Sequence, residues 1–175
     1  ANAWGNAEAS DLFTRLETAS HQDVSGVAAT FLDQPGVPLV SVELTCAAGA
    51  APSLALSQRR YTVPMEGGTE PAAARWRIPV CVAFDAGAGR APGRACTVLN
   101  EETGTLALPA GTRCPTWVHP NAGEAGYYRY AITPAVQRMI NPATLRTLDT
   151  ATRVGLVDDL SALLRGGQLP AHTAM

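Results

Sequence analysis

The hydrophobic positions change their period twice along the chain. From Glu8 to Ser20 the apolar residues Leu12, Phe13 and Leu16 fall at helical spacing. Asp23 stands where an N-cap is wanted, ahead of a second short helix carrying Val24, Val27, Ala28, Phe31 and Leu32. Gln34-Pro35-Gly36 stops that helix, because Pro lacks a backbone donor and Gly permits a turn. From Val37 onward the period becomes two. Val40, Val42 and Leu44 alternate with Ser41, Glu43 and Thr45, and Leu54, Leu56 and Gln58 alternate with Ala55, Ser57 and Arg59. The clearest strand runs from Arg75 to Asp85, with Trp76, Ile78, Val80, Val82 and Phe84 on one face. A face that apolar has to be buried against a second layer. Pro79 cannot donate to a ladder, so the strand should have an edge or a bulge there.

Further strands are predicted near Cys96–Leu99, Thr105–Leu108, Thr116–His119 and Tyr127–Ile132, with Asn100 to Gly104 as the turn of a hairpin. Gly87 to Gly93 and Glu66 to Pro71 read as surface loops. Helical spacing then returns. Thr133-Pro134 opens a short helix with Val136, Met139 and Ile140, which Asn141-Pro142 ends. Asp149 is placed to cap a helix through Arg165, with Val154, Val157, Leu160, Leu163 and Leu164 as its apolar stripe and Gly166-Gly167 as its stop. Leu169-Pro170 reads as the start of another helix. The expected fold class is mainly β: a small two-layer antiparallel β-sandwich flanked by N-terminal and C-terminal helical segments. The flanking helices are too small to bury their apolar faces alone, so they need the sandwich or further partners.

Composition narrows the function classes. Apolar residues make up 46% of the 175 and charged residues 16%, enough to build a core. All thirteen basic residues are Arg, and the net charge is −2 with no basic stripe. That disfavours nucleic-acid binding and adhesion to an anionic membrane. No apolar run approaches the roughly 18 residues a bilayer span needs, and the N-terminus lacks the pattern of a signal peptide.

The four cysteines are Cys46, Cys81, Cys96 and Cys114. None forms a C-x-x-C pair, which disfavours a structural zinc. Two readings stay open. The four are free buried thiols of a cytosolic protein, or they form two disulfides, which favours an exported protein, periplasmic or extracellular. For disulfides, Cys96 and Cys114 are the better candidate pair, since they flank the predicted hairpin.

Candidate chemistry is sparse. His21, His119 and His172 fall in three different segments, each expected to have a structural or solvent role. There is no H-E-x-x-H, no G-x-S-x-G, and no phosphate loop, since no Lys exists. Asp158 and Asp159 are adjacent on a helix and point about 100° apart, so they do not make a catalytic dyad. One is expected to face solvent and the other to pair with an Arg or cap a neighbouring element, Arg153 and Arg165 being near in sequence. Glu101-Glu102 reads as a solvated turn. Tyr128 and Tyr130 share one face of the last strand, and Tyr127 and Arg129 the other. Core packing is the simpler reading of these tyrosines; a ligand-stacking platform is the alternative. No catalytic, metal or cofactor residue is assigned.

Five stretches, taken together, resemble the zinc aminopeptidases of the aminopeptidase N and puromycin-sensitive type. They are Gly5-Asn6-Ala7 with Asp11-Leu12-Phe13, Asp23-Val24 and Phe31 to Pro38; Leu54 to Tyr61; Trp76-Arg77-Ile78-Pro79-Val80; Trp117-Val118-His119-Pro120-Asn121 with Gly126-Tyr127-Tyr128-Arg129-Tyr130; and Arg153 to Asp159 with Gly167-Gln168-Leu169. The resemblance implies a parent that is a zinc metalloaminopeptidase removing N-terminal residues from peptides, with a zinc-bound water attacking the scissile carbonyl. It implies that the zinc ligands, the general base and the amine-binding residues lie before Ala1. On that reading, residues 1–36 are the helical tail end of the catalytic domain, 37–132 the β-sandwich domain and 133–175 the first helices of a C-terminal helical domain. The stretch is then a non-catalytic spacer, with no cofactor of its own and with zinc in the parent. Its partners are the catalytic and helical domains of the same parent chain, and it meets peptide substrates only through that parent. The alternative is a β-sandwich module that recognises a peptide or protein, which requires Trp117, Tyr127, Tyr128 and Tyr130 to be exposed in one patch.

Overall fold

The computed structural model describes residues 5–64, 72–87 and 89–169. The loop expected at Glu66–Pro71, the helix start at Pro170 and His172 lie outside them. The chain divides into two compact units, residues 1–35 and 36–175.

The first unit is a pair of helices, α1 (Ala9–Ser20) and α2 (Val24–Leu32). The Asp11 carboxylate accepts from the Glu8 N–H at 3.0 Å and closes the start of α1. His21 ends α1 in the left-handed conformation, φ 55°, and its N–H donates to the Glu17 carbonyl at 2.8 Å. Asp23 caps α2 as the sequence predicts, accepting from the Gly26 N–H at 2.9 Å. The Glu17 carboxylate accepts from the Ser25 N–H at 2.7 Å and ties the two helices together. Leu12, Leu16 and Leu32 stay 58%, 44% and 69% exposed.

The second unit is a sandwich of two sheets. Its strands are β1 (Pro38–Thr45), β2 (Ser53–Arg60), β3 (Ile78–Phe84), β4 (Gly93–Leu99), β5 (Thr103–Ala107), β6 (Val118–His119) and β7 (Arg129–Tyr130). One sheet has the order β5-β2-β1-β7, the other β4-β3-β6. All pairings are antiparallel except β1 with β7, which run parallel. The alternating side chains do what the period demands. Val40, Val42, Leu54 and Leu56 from one sheet, and Trp76, Ile78, Val80, Val82 and Phe84 from the other, are all buried.

Three further helices follow: α3 (Pro134–Gln137), α4 (Pro142–Thr147) and α5 (Thr150–Arg165). Asp149 caps α5 as predicted, accepting from the Thr152 N–H at 2.8 Å. β1 is buried on both faces near its start. Leu39, on the face opposite Val40, joins Leu163 and Leu169 in a second cluster with Tyr61, Ile132 and Leu160 packed on it. The Tyr61 hydroxyl donates to the Ala162 carbonyl at 2.6 Å. These contacts seat α5 on the four-stranded sheet.

The structure corrects three expectations. Asn100 to Gly104 is not a hairpin turn: β4 and β5 lie in different sheets, and β5 pairs with β2. The turn is a crossover between layers. It is held by Gln58, whose N–H donates to the Glu102 carbonyl at 2.9 Å and whose side chain donates to the Glu101 carbonyl at 2.9 Å. Cys96 therefore does not pair with Cys114. It sits directly opposite Cys81 in the β3–β4 register and is bonded to it, with the Cα atoms 4.1 Å apart. That spacing marks a non-hydrogen-bonded pair, where side chains approach closest. Cys46, just after β1, is bonded to Cys114, with Cα atoms 5.8 Å apart. Thirdly, the helix opened by Thr133-Pro134 ends at Gln137, before Met139 and Ile140, so Asn141-Pro142 does not end it. The Asn141 side chain accepts from the Ala143 and Thr144 N–H groups, both at 3.0 Å, and so opens α4.

Pro79 shares the parity of Cys81, so its missing donor faces away from β4. On that side β6 pairs only with Ala83 and Phe84. β3 is internal at one end and has an open edge at Pro79 among the described residues, so no ladder bond is lost.

Candidate functional site

His119, Glu124, Arg129, Tyr130, Asp158 and Asp159 come together where α5 meets β7 and the loop before it. That loop contains a single 3-10 turn, Ala122–Glu124, with Gly123 at φ 72° and Glu124 at φ 54°. Asn121 folds it. Its Oδ1 accepts from the Gly126 N–H at 2.8 Å, and its Nδ2 donates to the Gly126 carbonyl at 3.0 Å and to Glu124 Oε2 at 3.3 Å. The other Glu124 oxygen lies 3.0 Å from His119 Nε2, off the line of a straight hydrogen bond. His119 is buried, and its ring meets Tyr130 edge to face at 5.4 Å. Tyr130 is fully buried and its hydroxyl has no hydrogen-bond partner among the described residues, whereas the Tyr128 hydroxyl donates to the Pro120 carbonyl at 2.7 Å.

From α5, Asp158 and Asp159 both reach the Arg129 guanidinium. Asp159 does so at 3.1 Å, and Asp158 makes a closer contact through the same Nη1. Asp158 is largely exposed and Asp159 is 3% exposed. Burial pushes the Asp159 carboxyl up to about 7, against the pull of Arg129, with Glu124 and Asp158 adding to the rise. Burial is also the main cause that drives the Tyr128 and Tyr130 phenols above their ordinary value. A groove of about 760 Å³ runs along this junction, lined among others by Glu124, Tyr127, Arg129, Val154 and Asp158. α5 comes so near the loop that a Cβ at Gly155 would lie 2.2 Å from the Glu124 carboxyl carbon.

Asp158 is largely exposed and Asp159 buried, yet both aspartates, and not one alone, reach an Arg. Arg129, 30 residues before Asp159, takes both, rather than Arg153 or Arg165. The His119–Glu124 contact was not anticipated. Its signal was the run Pro120-Asn121-Ala122-Gly123, which folds the chain back on itself. Glu101, expected to be solvated, makes an exposed ion pair with Arg75 at 2.6 Å. The stacking platform of Tyr127, Tyr128 and Tyr130 is not formed, and these residues make no single exposed patch with Trp117: Trp117, Tyr128 and Tyr130 are buried, and Tyr127 is 70% exposed. Among the described residues no three His, Cys, Asp or Glu side chains converge as a metal site would need. The described residues do not fit a zinc centre. The arrangement can lock α5 to the sandwich electrostatically.

Sequence comparison says what this two-sheet sandwich with its ion-paired helical junction is similar to. The chain is 30% identical over 95% of its length to the puromycin-sensitive aminopeptidase of Caenorhabditis elegans. It is 25% identical over 95% of its length to aminopeptidase M1 of Arabidopsis thaliana, and 29% identical over 95% to tricorn protease-interacting factor F2 of Thermoplasma acidophilum. It spans 17%, 19% and 18% of those proteins. No family model matches the chain. The chain corresponds to a segment of the aminopeptidase N and puromycin-sensitive aminopeptidase family.

Proposed function

We propose that this chain is the non-catalytic spacer of a zinc metalloaminopeptidase that removes N-terminal residues from peptides. The observation that carries the reading is the match over 95% of the chain to less than a fifth of several aminopeptidases. In this reading residues 1–36 end the catalytic domain, 37–132 form the sandwich and 133–175 open a C-terminal helical domain. The partners are those neighbouring domains of the same parent, and the zinc chemistry belongs to the portion of the parent this chain does not span. Exposed Leu12, Leu16 and Leu32 on the helix pair, and Val154 and Val157 on α5, support unfilled contacts to such neighbours. Two disulfides support an oxidising compartment, hence an exported parent, periplasmic or extracellular.

The test is metal analysis and turnover on the purified chain. No stoichiometric zinc and no release of aniline from aminoacyl anilides is expected. One zinc bound per chain would count against the spacer role.

A further inference from the structure

The two disulfides sit differently in the fold. Cys46 and Cys114 both lie outside the strands. Cys81 and Cys96 lie inside β3 and β4, directly opposite one another in a ladder of seven paired residues. Ile78, Val80, Val82 and Phe84 point into the core, so Cys81 takes the outer face of the three-stranded sheet. Cys96 is exposed there and Cys81 is half-buried. The bond therefore faces solvent, and no strand has to leave its place for a thiol to reach it. The register pairs hold β3 to β4 whether or not the sulfurs are joined. Reduced, the two thiols stay face to face and the bond can re-form. Cys46 and Cys114 have no such ladder between them.

Arg94 adds a charge beside the pair. It stands two residues before Cys96, on the same outer face, and diagonal to Cys81. A long side chain spans that diagonal. Arg94 is exposed and has no carboxylate partner among the described residues. Burial raises the Tyr128 phenol, and the Cys81 backbone and the Arg94 charge both oppose that rise. One phenol thus feels both residues, which puts the guanidinium within electrostatic range of Cys81. A guanidinium beside a sulfur favours its thiolate form.

We propose that Cys81–Cys96 is a reversible thiol–disulfide exchange site for a dithiol reductant. A thiolate of the dithiol attacks Cys96 Sγ, on the more exposed residue of the pair. The Cys81–Cys96 bond breaks, and Cys81 leaves as a thiolate beside Arg94. The second thiolate of the dithiol then attacks its own sulfur partner in the mixed disulfide and releases Cys96. Two electrons and two protons pass to the pair, and the dithiol departs as a disulfide. The chain stays folded on the ladder and on the Cys46–Cys114 bond. The site is independent of the peptidase reading, since it uses only the β3–β4 pair and Arg94.

The experiment is reduction of the folded whole chain with dithiothreitol, quenched at intervals with N-ethylmaleimide and mapped by peptide mass spectrometry. Labelling of Cys81 and Cys96 is expected with the far-UV circular dichroism retained, at a rate that low urea does not change, since no unfolding is needed. Replacing the dithiol with oxidised glutathione should restore the same pair. Arg94→Gln should slow the reduction about threefold in the folded chain and leave it unchanged in the urea-unfolded chain. Arg94→Lys should restore most of the rate. Labelling of Cys81 and Cys96 that climbs with low urea, or that comes only with loss of the dichroism, overturns the proposal. So does reoxidation to other pairings, or an equal rate in folded wild type and folded Arg94→Gln.

Discussion

Gln58 and Trp76 exchange two hydrogen bonds: the Gln58 Nε2 donates to the Trp76 carbonyl at 2.7 Å, and its Oε1 accepts from the Trp76 N–H at 2.9 Å. Gln58 is on the four-stranded sheet, and Trp76 leads into the three-stranded one. The same amide also donates to the Glu101 carbonyl. One buried side chain thus serves the backbone of both the strand entry and the layer crossover. Gln58→Leu keeps the volume roughly but orphans these backbone groups. A loss of about 3 kcal/mol is expected, read as a lower urea midpoint at unchanged slope. A loss under about 0.5 kcal/mol contradicts the role given to Gln58.

The two buried tyrosines should respond oppositely to loss of the hydroxyl. Tyr128→Phe leaves the Pro120 carbonyl without its donor and should cost about 1 kcal/mol. Tyr130→Phe removes a buried hydroxyl with no partner among the described residues, and should be neutral or stabilising by up to about 1 kcal/mol. Thermal melts of the two variants check this; equal destabilisation counts against it.

Asp159 makes stability depend on pH in a definite direction. Its folded value, about 7, lies above the ordinary 3.8. Below 3.8 the carboxyl is protonated whether folded or not, and its contribution is at its most favourable. Between 3.8 and 7 the unfolded chain ionises first, so stability falls as pH rises, and it levels off above 7. Asp159→Asn removes this slope. The variant should gain on the wild type by roughly 2–4 kcal/mol between pH 4 and pH 8. Denaturant midpoints across that range decide it, and parallel profiles reject the assignment.

The disulfides should differ in worth. Cys46–Cys114 closes 68 residues and Cys81–Cys96 closes 15. By chain entropy, removing the first costs about 4 kcal/mol and the second about 3 kcal/mol. Paired Cys→Ser variants compared by denaturant unfolding test the order.

Local rules account for what the sequence showed on its own. The alternation from Trp76 to Phe84 buries all five residues because side chains of a strand alternate faces wherever it pairs. Asp23 and Asp149 cap their helices because each needs only an N–H three residues on. The His119–Glu124 contact lies within one short loop, yet it depends on the left-handed residues Gly123 and Glu124, which no periodicity announces.

The sequence by itself determined the strands, the caps and the buried faces, because those follow from the spacing of neighbours a few bonds apart. Only the tertiary structure decided that β5 joins β2, that Cys96 meets Cys81, and that Arg129 holds Asp159. Each of those depends on which of two layers a segment enters. That choice rests on burial summed over the whole sandwich, not on any interaction available within the segment.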